Sequence, residues 1–526
     1  MRFKRNISTL GLLFAAVGGI VGSGWLFGPM YAAQIAGPAA IFSWIIGGVL
    51  MILIALTFAE LATTFPVAGG MVQFGQMSHG SLISFTIGWM VWLSSVVVAP
   101  VETLALLQYA ANYVPGIIKT VNHTKVLTAL GVISAAGLML VMCLLNWYGA
   151  KFFSKTNIII VSIKLIVPIL TLITLFIVDF HLSNIELGGG FLPYGWHGVV
   201  AALPLGGIIF SFIGYSPAIQ LAAEAKNPQR ALPFAIVGSV FICIFLYTLL
   251  QFSFIGALHP DYVIHGWHNL NFKGDTGPFA GILTALGIMW LVIVIYADAF
   301  ISPFGTAYIY TTSTARVSYA LSEIGFFPRW LKKLNIHGAP MRAIAINYIV
   351  GLLLFLPFPG WQSMVMFLVS CFVIAYSIGP IALLSLRKIQ KNVERPFKLP
   401  CAQLIALGAF YVCNLLVFWT GWYTVSRLLF AMLIGFFVYG IDCYRQIRQS
   451  RSVTFWRQAR WLLPYLAGIG ILSYLGTFGD GKGVLKFGPD FIVIALFTAT
   501  IFYFALASSR DDTLPTLDKA VWIEEI

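Results

Sequence analysis

The chain has 526 residues, of which 59% are hydrophobic and only 9% charged, with a net charge of +13. Soluble domains carry about 25% charged residues, so the composition excludes a soluble globular protein and points to a polytopic membrane protein with no soluble domain. Apolar stretches long enough to cross a bilayer recur from end to end. Fourteen spans are predicted, near residues 7–36, 38–64, 81–111, 126–147, 155–178, 198–223, 231–257, 280–312, 343–357, 362–386, 401–421, 423–444, 459–478 and 489–508. With the N-terminus in the cytoplasm, 24 of the 31 Lys and Arg fall in cytoplasmic segments. Six fall outside (Lys119, Lys125, Lys273, Arg427, Lys482, Lys486), and Lys164 stands alone inside a span. This is the positive-inside bias, so the charge is topological and does not mark a nucleic-acid partner. Both termini are placed in the cytoplasm of a multi-pass protein of the cell membrane. The basic start runs into a span too long for a cleaved signal peptide. The six cysteines lack metal-like spacing and read as packing residues, so neither a metal nor a cofactor is expected.

Span 1 carries Gly18-Gly19-Ile20-Val21-Gly22-Ser23-Gly24-Trp25 in its middle. Glycines here open backbone conformations closed to other residues and let a ligand approach closely. The helix is predicted to break at Gly22, Ser23 and Gly24 and to resume at Trp25. The N–H groups and positive dipole end of the resumed helix would hold an anion such as a carboxylate. Glu60 ends span 2 and reads as an interfacial, structural acid. Glu102 lies in the outer half of span 3. Lys164 lies about 12 Å into span 5, taking eight residues of helix rise. A charge that deep marks function by default; the alternative is a lysine snorkelling to the surface. Its ammonium is placed against the carbonyls of Gly19 and Ile20 and the span-8 hydroxyls of Ser302 and Thr306, where sodium sits in sodium-driven proteins of this architecture.

Span 6 carries Phe210-Ser211-Phe212-Ile213-Gly214-Tyr215-Ser216-Pro217. A second break is predicted at Gly214, with Pro217 in the first turn of the resumed helix. The carbonyls of Phe210, Ser211 and Ile213 would then be free for an ammonium group. Trp25, Phe210 and Tyr215 flank the breaks as gates or as plain packing. The outer segment near 258–279 is long enough to fold over the external mouth. Asp298, near the middle of span 8, is a proton carrier, a substrate partner or a hydrogen-bonded packing residue, as is Glu102. The tail from Ser509 is short.

Interrupted helices persist in a bilayer only where they line a cavity that satisfies their backbone. Two breaks at matching places in two halves mark the midplane binding site of a secondary transporter. Five spans per half is odd, so the halves enter the membrane inverted. The expected fold is therefore an all-α polytopic membrane protein. Its core at 7–386 is a five-plus-five inverted repeat with broken helices 1 and 6. Four accessory helices at 401–508 and a cytoplasmic tail at 509–526 complete it. One helix N-terminus beside one C-terminus suits a zwitterion, the common part of an α-amino acid. The alternative use of the glycines is close helix packing.

The Gly18–Trp25 break, the run Ala59-Glu-Leu-Ala-Thr-Thr-Phe-Pro-Val-Ala-Gly-Gly, and Phe210 to Pro228 resemble signatures of the amino acid–polyamine–organocation permeases. So do Ala315-Arg-Val-Ser-Tyr-Ala-Leu-Ser-Glu-Ile-Gly-Phe-Phe-Pro and Arg395-Pro-Phe-Lys-Leu-Pro. The resemblance covers about residues 7–400. The Gly-Ser-Gly-Trp-Leu-Phe-Gly-Pro form and the extra spans are most similar to the bacterial aspartate–proton symporter branch. It implies amino-acid import coupled to protons by alternating access, with Lys164 at the span-5 lysine of proton-coupled members and no enzymatic activity. An antiporter or an amino-acid sensor on the same fold is the alternative. Trp25 replaces the usual aliphatic residue after the break. Ser216 stands where many relatives have an acid, so that acid's role does not transfer. The partners implied are an amino acid, protons and lipid.

Overall fold

The computed structural model describes residues 7–67, 70–121, 124–148, 150–220, 222, 225–272, 277–336, 338–358, 360–448 and 456–509. The expected tail beyond Ser509 lies outside them. Span 1 is two helices, α1 (Thr9–Ile20) and α2 (Gly24–Ala36). Ser8 caps α1 by accepting the Gly11 N–H at 3.1 Å. Then come α3 (Ala40–Thr64), the short α4 (Met71–His79) and the 30-residue α5 (Ser81–Ala110). A hairpin that the hydropathy pattern did not show follows. Its strands β1 (Ile118–Val121) and β2 (Thr124–Leu127) pair antiparallel from Ile118↔Leu127 to Val121↔Thr124. It delays the next helix, α6 (Ala129–Leu145), which is capped by Thr128.

Helix α7 (Ala150–Val178) carries Lys164. The sixth span is again divided, into α8 (Gly195–Leu205), a 3₁₀ stretch Phe210–Tyr215 and the short α9 (Ser216–Gln220). Beyond it run α10 (Pro228–Gly256), a short α11 (Pro278–Ala285) and the 36-residue α12 (Met289–Ile324). Helix α11 takes the start of what the sequence suggested was one span. The remainder is α13 (Met341–Leu353), α14 (Trp361–Tyr376), α15 (Ile378–Ile389), α16 (Ala402–Trp419), α17 (Gly421–Arg448), α18 (Trp456–Ala459), α19 (Leu462–Leu475) and α20 (Pro489–Ala507). Among the described residues, nine helical segments are long and apolar enough to cross a membrane.

Burial sorts these helices. In α5 and across α14 and α15 the most apolar window is 94% buried inside the protein. These helices are hydrophobic all round because protein surrounds them. In α7, α17 and α20 no more than 39% of that window is buried. Their outward rows, such as Ile166, Ile169, Ile173 and Ile177, are exposed and suit lipid. Helices α12 and α14 pack along α5, α10 packs along α1 and α3, and the 3₁₀ stretch packs on α1. The two interrupted spans thus meet each other, with α10 packed against both. The segment expected to cover a mouth is pinned to α2, because the Gln34 side-chain amide donates to the Leu270 carbonyl at 2.7 Å. The Trp267 indole is buried and donates to the Leu187 carbonyl at 3.0 Å.

Glu60, read as interfacial, is buried at the end of α3 and is the hub of an ion cluster. Its carboxylate accepts Arg387 Nε at 2.8 Å, Arg387 Nη2, and the Leu399 N–H at 2.7 Å. Arg395 Nε lies 3.4 Å away. The cluster ties α3 to α15 and to the segment before α16. Removing one partner of a buried charge pair costs about 3–5 kcal/mol, and less where the survivor reaches water. Arg387 is part-exposed, so Glu60→Ala is expected to cost about 3 kcal/mol, read as a lower melting temperature in detergent, with Arg387→Lys intermediate. An unchanged melting curve in Glu60→Ala would remove the cluster from the stability of the fold.

Candidate functional site

The first break begins where α1 stops at Ile20, and Ser23 is the N-cap residue of α2. The Ser23 side chain does not cap the helix; the Glu102 carboxylate of α5 does related work. It accepts the Ser23 N–H at 3.1 Å through Oε2 and at 3.4 Å through Oε1. In a capping box a glutamate three residues on reaches back to the N-cap N–H; here the carboxylate comes from another helix. Gly22 is required beside it, since a Cβ there would lie 2.6 Å from Glu102 Oε1. At the start of α2, where an anion was expected, the structure places the chain's own carboxylate on the Ser23 N–H.

Lys164 is fully buried. Its ammonium donates to the Gly18 carbonyl at 3.3 Å and to the Thr306 hydroxyl of α12. This corrects the expected partners by one or two residues of α1: Gly18 replaces Gly19 and Ile20. The Ile20 carbonyl takes the Tyr247 hydroxyl of α10 at 3.3 Å instead. Ser302 is turned to Asp298, donating at 2.6 Å. Asp298 is buried in α12. The Trp25 indole lies next to its carboxyl without closing a hydrogen bond, and Trp25 packs on Phe279 at 5.6 Å.

The second break starts earlier than predicted. Helix α8 ends at Leu205, and the chain turns through Gly206 and Gly207, whose φ of +76° favours glycine. Phe210 to Tyr215 is then 3₁₀, so Phe210 does not end a half-helix. Its carbonyls are partly engaged, because the Tyr376 hydroxyl of α14 donates to Ile213 at 2.7 Å. Gly214 has a different use from the one expected. A Cβ there would meet the Gly19 carbonyl carbon at 2.1 Å and the Ile20 nitrogen at 2.3 Å. The two interrupted segments touch backbone to backbone at this point. Gly24 likewise presses on Ser211, whose Oγ would lie 2.1 Å from an added Cβ. Tyr215 stacks on Tyr376 at 5.3 Å.

Between the breaks lies a cavity lined by Gly19, Ile20, Gly22, Glu102, Phe210, Ile213, Gly214 and Thr306, with Val98, Tyr310, Leu368 and Phe372. The space open to the centre of a water molecule is about 20 Å³, room for one water. Anything larger fits only when the walls part. Of the expected site residues, Ser23, Gly24, Trp25, Ser211, Tyr215, Lys164, Ser302 and Asp298 stand behind this lining. Sequence reasoning missed Tyr247, Tyr376 and Trp361. The Trp361 indole donates to Ser23 Oγ at 3.2 Å across 338 positions of chain.

Two interrupted helices meeting at a small cavity, inside a bundle of membrane-length helices, define a multi-pass membrane protein. The comparisons make that class specific. The amino acid permease family model matches residues 7–439. The glutamate/serine transporter AimA of Bacillus subtilis (strain 168) is 40% identical over 520 residues, covering 96% of this chain and 94% of the relative. The aspartate-proton symporter of the same organism is 33% identical over 507 residues, 96% of each chain. The branched-chain amino acid permease BcaP, also of Bacillus subtilis, is 26% identical over 450 residues, 83% of this chain and 92% of the relative. The chain belongs to the amino acid permease family, whose members are transporters and not enzymes.

Overpacking a tight contact typically costs about 1–3 kcal/mol, and backbone cannot yield as a side-chain end can. Gly214→Ala is expected to lower the melting temperature in detergent and to abolish amino-acid uptake. Gly22→Ala, facing the movable end of Glu102, is expected to be milder in stability. Gly137→Ala, with nothing within 4 Å of the added atom, serves as the neutral control. Wild-type uptake by Gly214→Ala would contradict the contact.

Proposed function

We propose that the protein imports an amino acid across the cell membrane together with protons, by alternating access. We also propose the five-plus-five inverted repeat over residues 7–386, with 401–508 accessory, about fourteen spans, and both termini cytoplasmic. The observation that carries this reading is the pair of buried charges at one break. Lys164 holds the end of α1 and Glu102 holds the start of α2, beside a closed cavity. Serine and glutamate are the first candidate cargoes, because the 40% identical relative is named for them.

The cargo's carboxylate has one ready-made position, the Ser23 N–H at the positive end of α2. Glu102 occupies it in this conformation. A second carboxylate beside an ionised Glu102 is repelled, whereas a protonated Glu102 is neutral and can withdraw. Cargo loading then requires a proton, and an acidic cargo no longer needs an extra cation. The cargo's ammonium faces the 3₁₀ carbonyls of span 6. Lys164 contributes the second half. As an ammonium it bridges α1 to α12 through Gly18 and Thr306; as a neutral amine it loses most of that attraction. Hydrogen bonds to a charged group are worth about 1.5–3 kcal/mol each, so two supply about 3–6 kcal/mol. Moving a two-state equilibrium from 1:99 to 99:1 takes about 5.5 kcal/mol. One proton on Lys164 is thus of the right size to choose which side the cavity opens to.

Proteoliposomes with an inward proton gradient test this reading. Wild-type protein should accumulate serine or glutamate, and Lys164→Ala should fall to background. Glu102→Gln, neutral at every pH, should keep exchange of internal for external amino acid and lose its response to the gradient. Full gradient-driven uptake by Lys164→Ala would end the coupling role. Uptake that needs amino acid on both sides would mark an exchanger instead.

A further inference from the structure

Trp361 is the first residue of α14 and is buried. Its ring touches both interrupted spans. It stacks on Tyr31 of α2 at 5.5 Å and 22°, lies 5.5 Å from Phe27, and meets Phe210 edge-on at 5.8 Å and 89°. Gly207 makes room for it, since a Cβ there would lie 2.8 Å from the indole Cη2. Phe210 is a wall of the cavity, so the indole closes over that wall at the end of the bundle assigned above to the outside. Aromatic packing alone would serve with phenylalanine. The indole adds one donor, spent on Ser23 Oγ.

Ser23 is the link between this ring and the anion position. Its hydroxyl has one proton and two lone pairs. The oxygen accepts from Trp361, and the N–H of the same residue is held by the Glu102 carboxylate at 3.1 Å, so ring and carboxylate meet on one residue. When Ser23 donates to an anion, its oxygen becomes a better acceptor for the indole, because hydrogen bonds in a chain polarise one another. When no anion is present, the hydroxyl proton is free to turn and the indole loses that preference.

We propose that Trp361 is the outer gate of the site, latched through Ser23 to whichever carboxylate fills the anion position. That carboxylate is Glu102 in the empty protein and the amino acid's own in the loaded one. The second half rests on the cargo position proposed above; the first rests on the geometry alone. The gate closes on either anion and loosens only while the position is vacant, when cargo can enter. An empty but open passage is thereby short-lived.

The test uses the full chain without its native cysteines, with Leu368→Cys as a reporter in the cavity wall. A membrane-impermeant, cationic thiol reagent is applied from outside. Trp361→Phe keeps the ring and removes the N–H; Ser23→Ala removes the acceptor. Loss of one net hydrogen bond of about 1 kcal/mol corresponds to about a fivefold change. Each variant should label about fivefold faster than the parent, and the double variant no faster than either. Melting curves equal to the parent's show that the variants fold, and either single variant suffices should the other fail. Parental labelling rates in a folded single variant, or effects that multiply in the double, would overturn the latch. Saturating L-serine or L-glutamate should slow labelling of the parent and not of Trp361→Phe. Faster labelling in the variants with no protection by either amino acid would leave the Glu102 latch standing and remove the proposed cargo position.

Discussion

Peptide groups that leave a helix inside an apolar bundle must find partners, because no water is there to supply them. That constraint organises the centre of this protein. Four side chains from four different helices supply partners at the two breaks. Glu102 of α5 takes the Ser23 N–H, and Lys164 of α7 reaches the Gly18 carbonyl. Tyr247 of α10 and Tyr376 of α14 donate to Ile20 and Ile213. Each is buried, and each bond joins a break to a long helix, so the interruptions are held open by the surrounding frame. Two of the four partners are charged. That makes the strongest supports of the breaks the ones that the gain of a proton (Glu102) or its loss (Lys164) can weaken.

The same arrangement explains how a closed cavity and a movable site coexist. Gly214 brings span 6 against the Gly19 backbone, and Gly24 brings α2 against Ser211. These contacts leave room for about one water between the breaks. The cluster of Glu60 with Arg387 and Arg395 fastens α3 to α15 at one end, and Trp361 fastens α2 to α14 at the other.

Much of this was legible in the residues. The glycine cluster at 18–24 located the first break within a residue, since small residues in mid-span have few other uses. Lys164 announced itself by depth alone. The second break includes Gly214 and ends where the helix resumes at Ser216, but its start was missed because Gly214 was read as the conformational residue. The turn is made by Gly206 and Gly207 after Pro204, and Gly214 serves close approach, which a single chain does not display. Lys164 reaches Gly18 instead of Gly19 because the helix phase, not the span boundary, decides which carbonyl faces α7. Glu102 and Asp298 looked alike as lone acids in apolar spans. Packing separated them, placing one on the Ser23 N–H and the other with Ser302 within α12. Trp361 carried no signal at all, because its partner is 338 residues away and tryptophan is common in this chain. The hairpin at 118–127 was hidden because the polar residues among its Ile, Val and Thr, Lys119 and Lys125 above all, read as an outer loop before the next span.

The most direct measurement is a high-resolution structure of the protein with its amino acid bound. The cargo's α-carboxylate should lie within hydrogen-bonding distance of the Ser23 N–H, with the Glu102 side chain withdrawn from it. A map in which Glu102 still holds Ser23 while the amino acid sits elsewhere would contradict the exchange of one carboxylate for another on which loading depends.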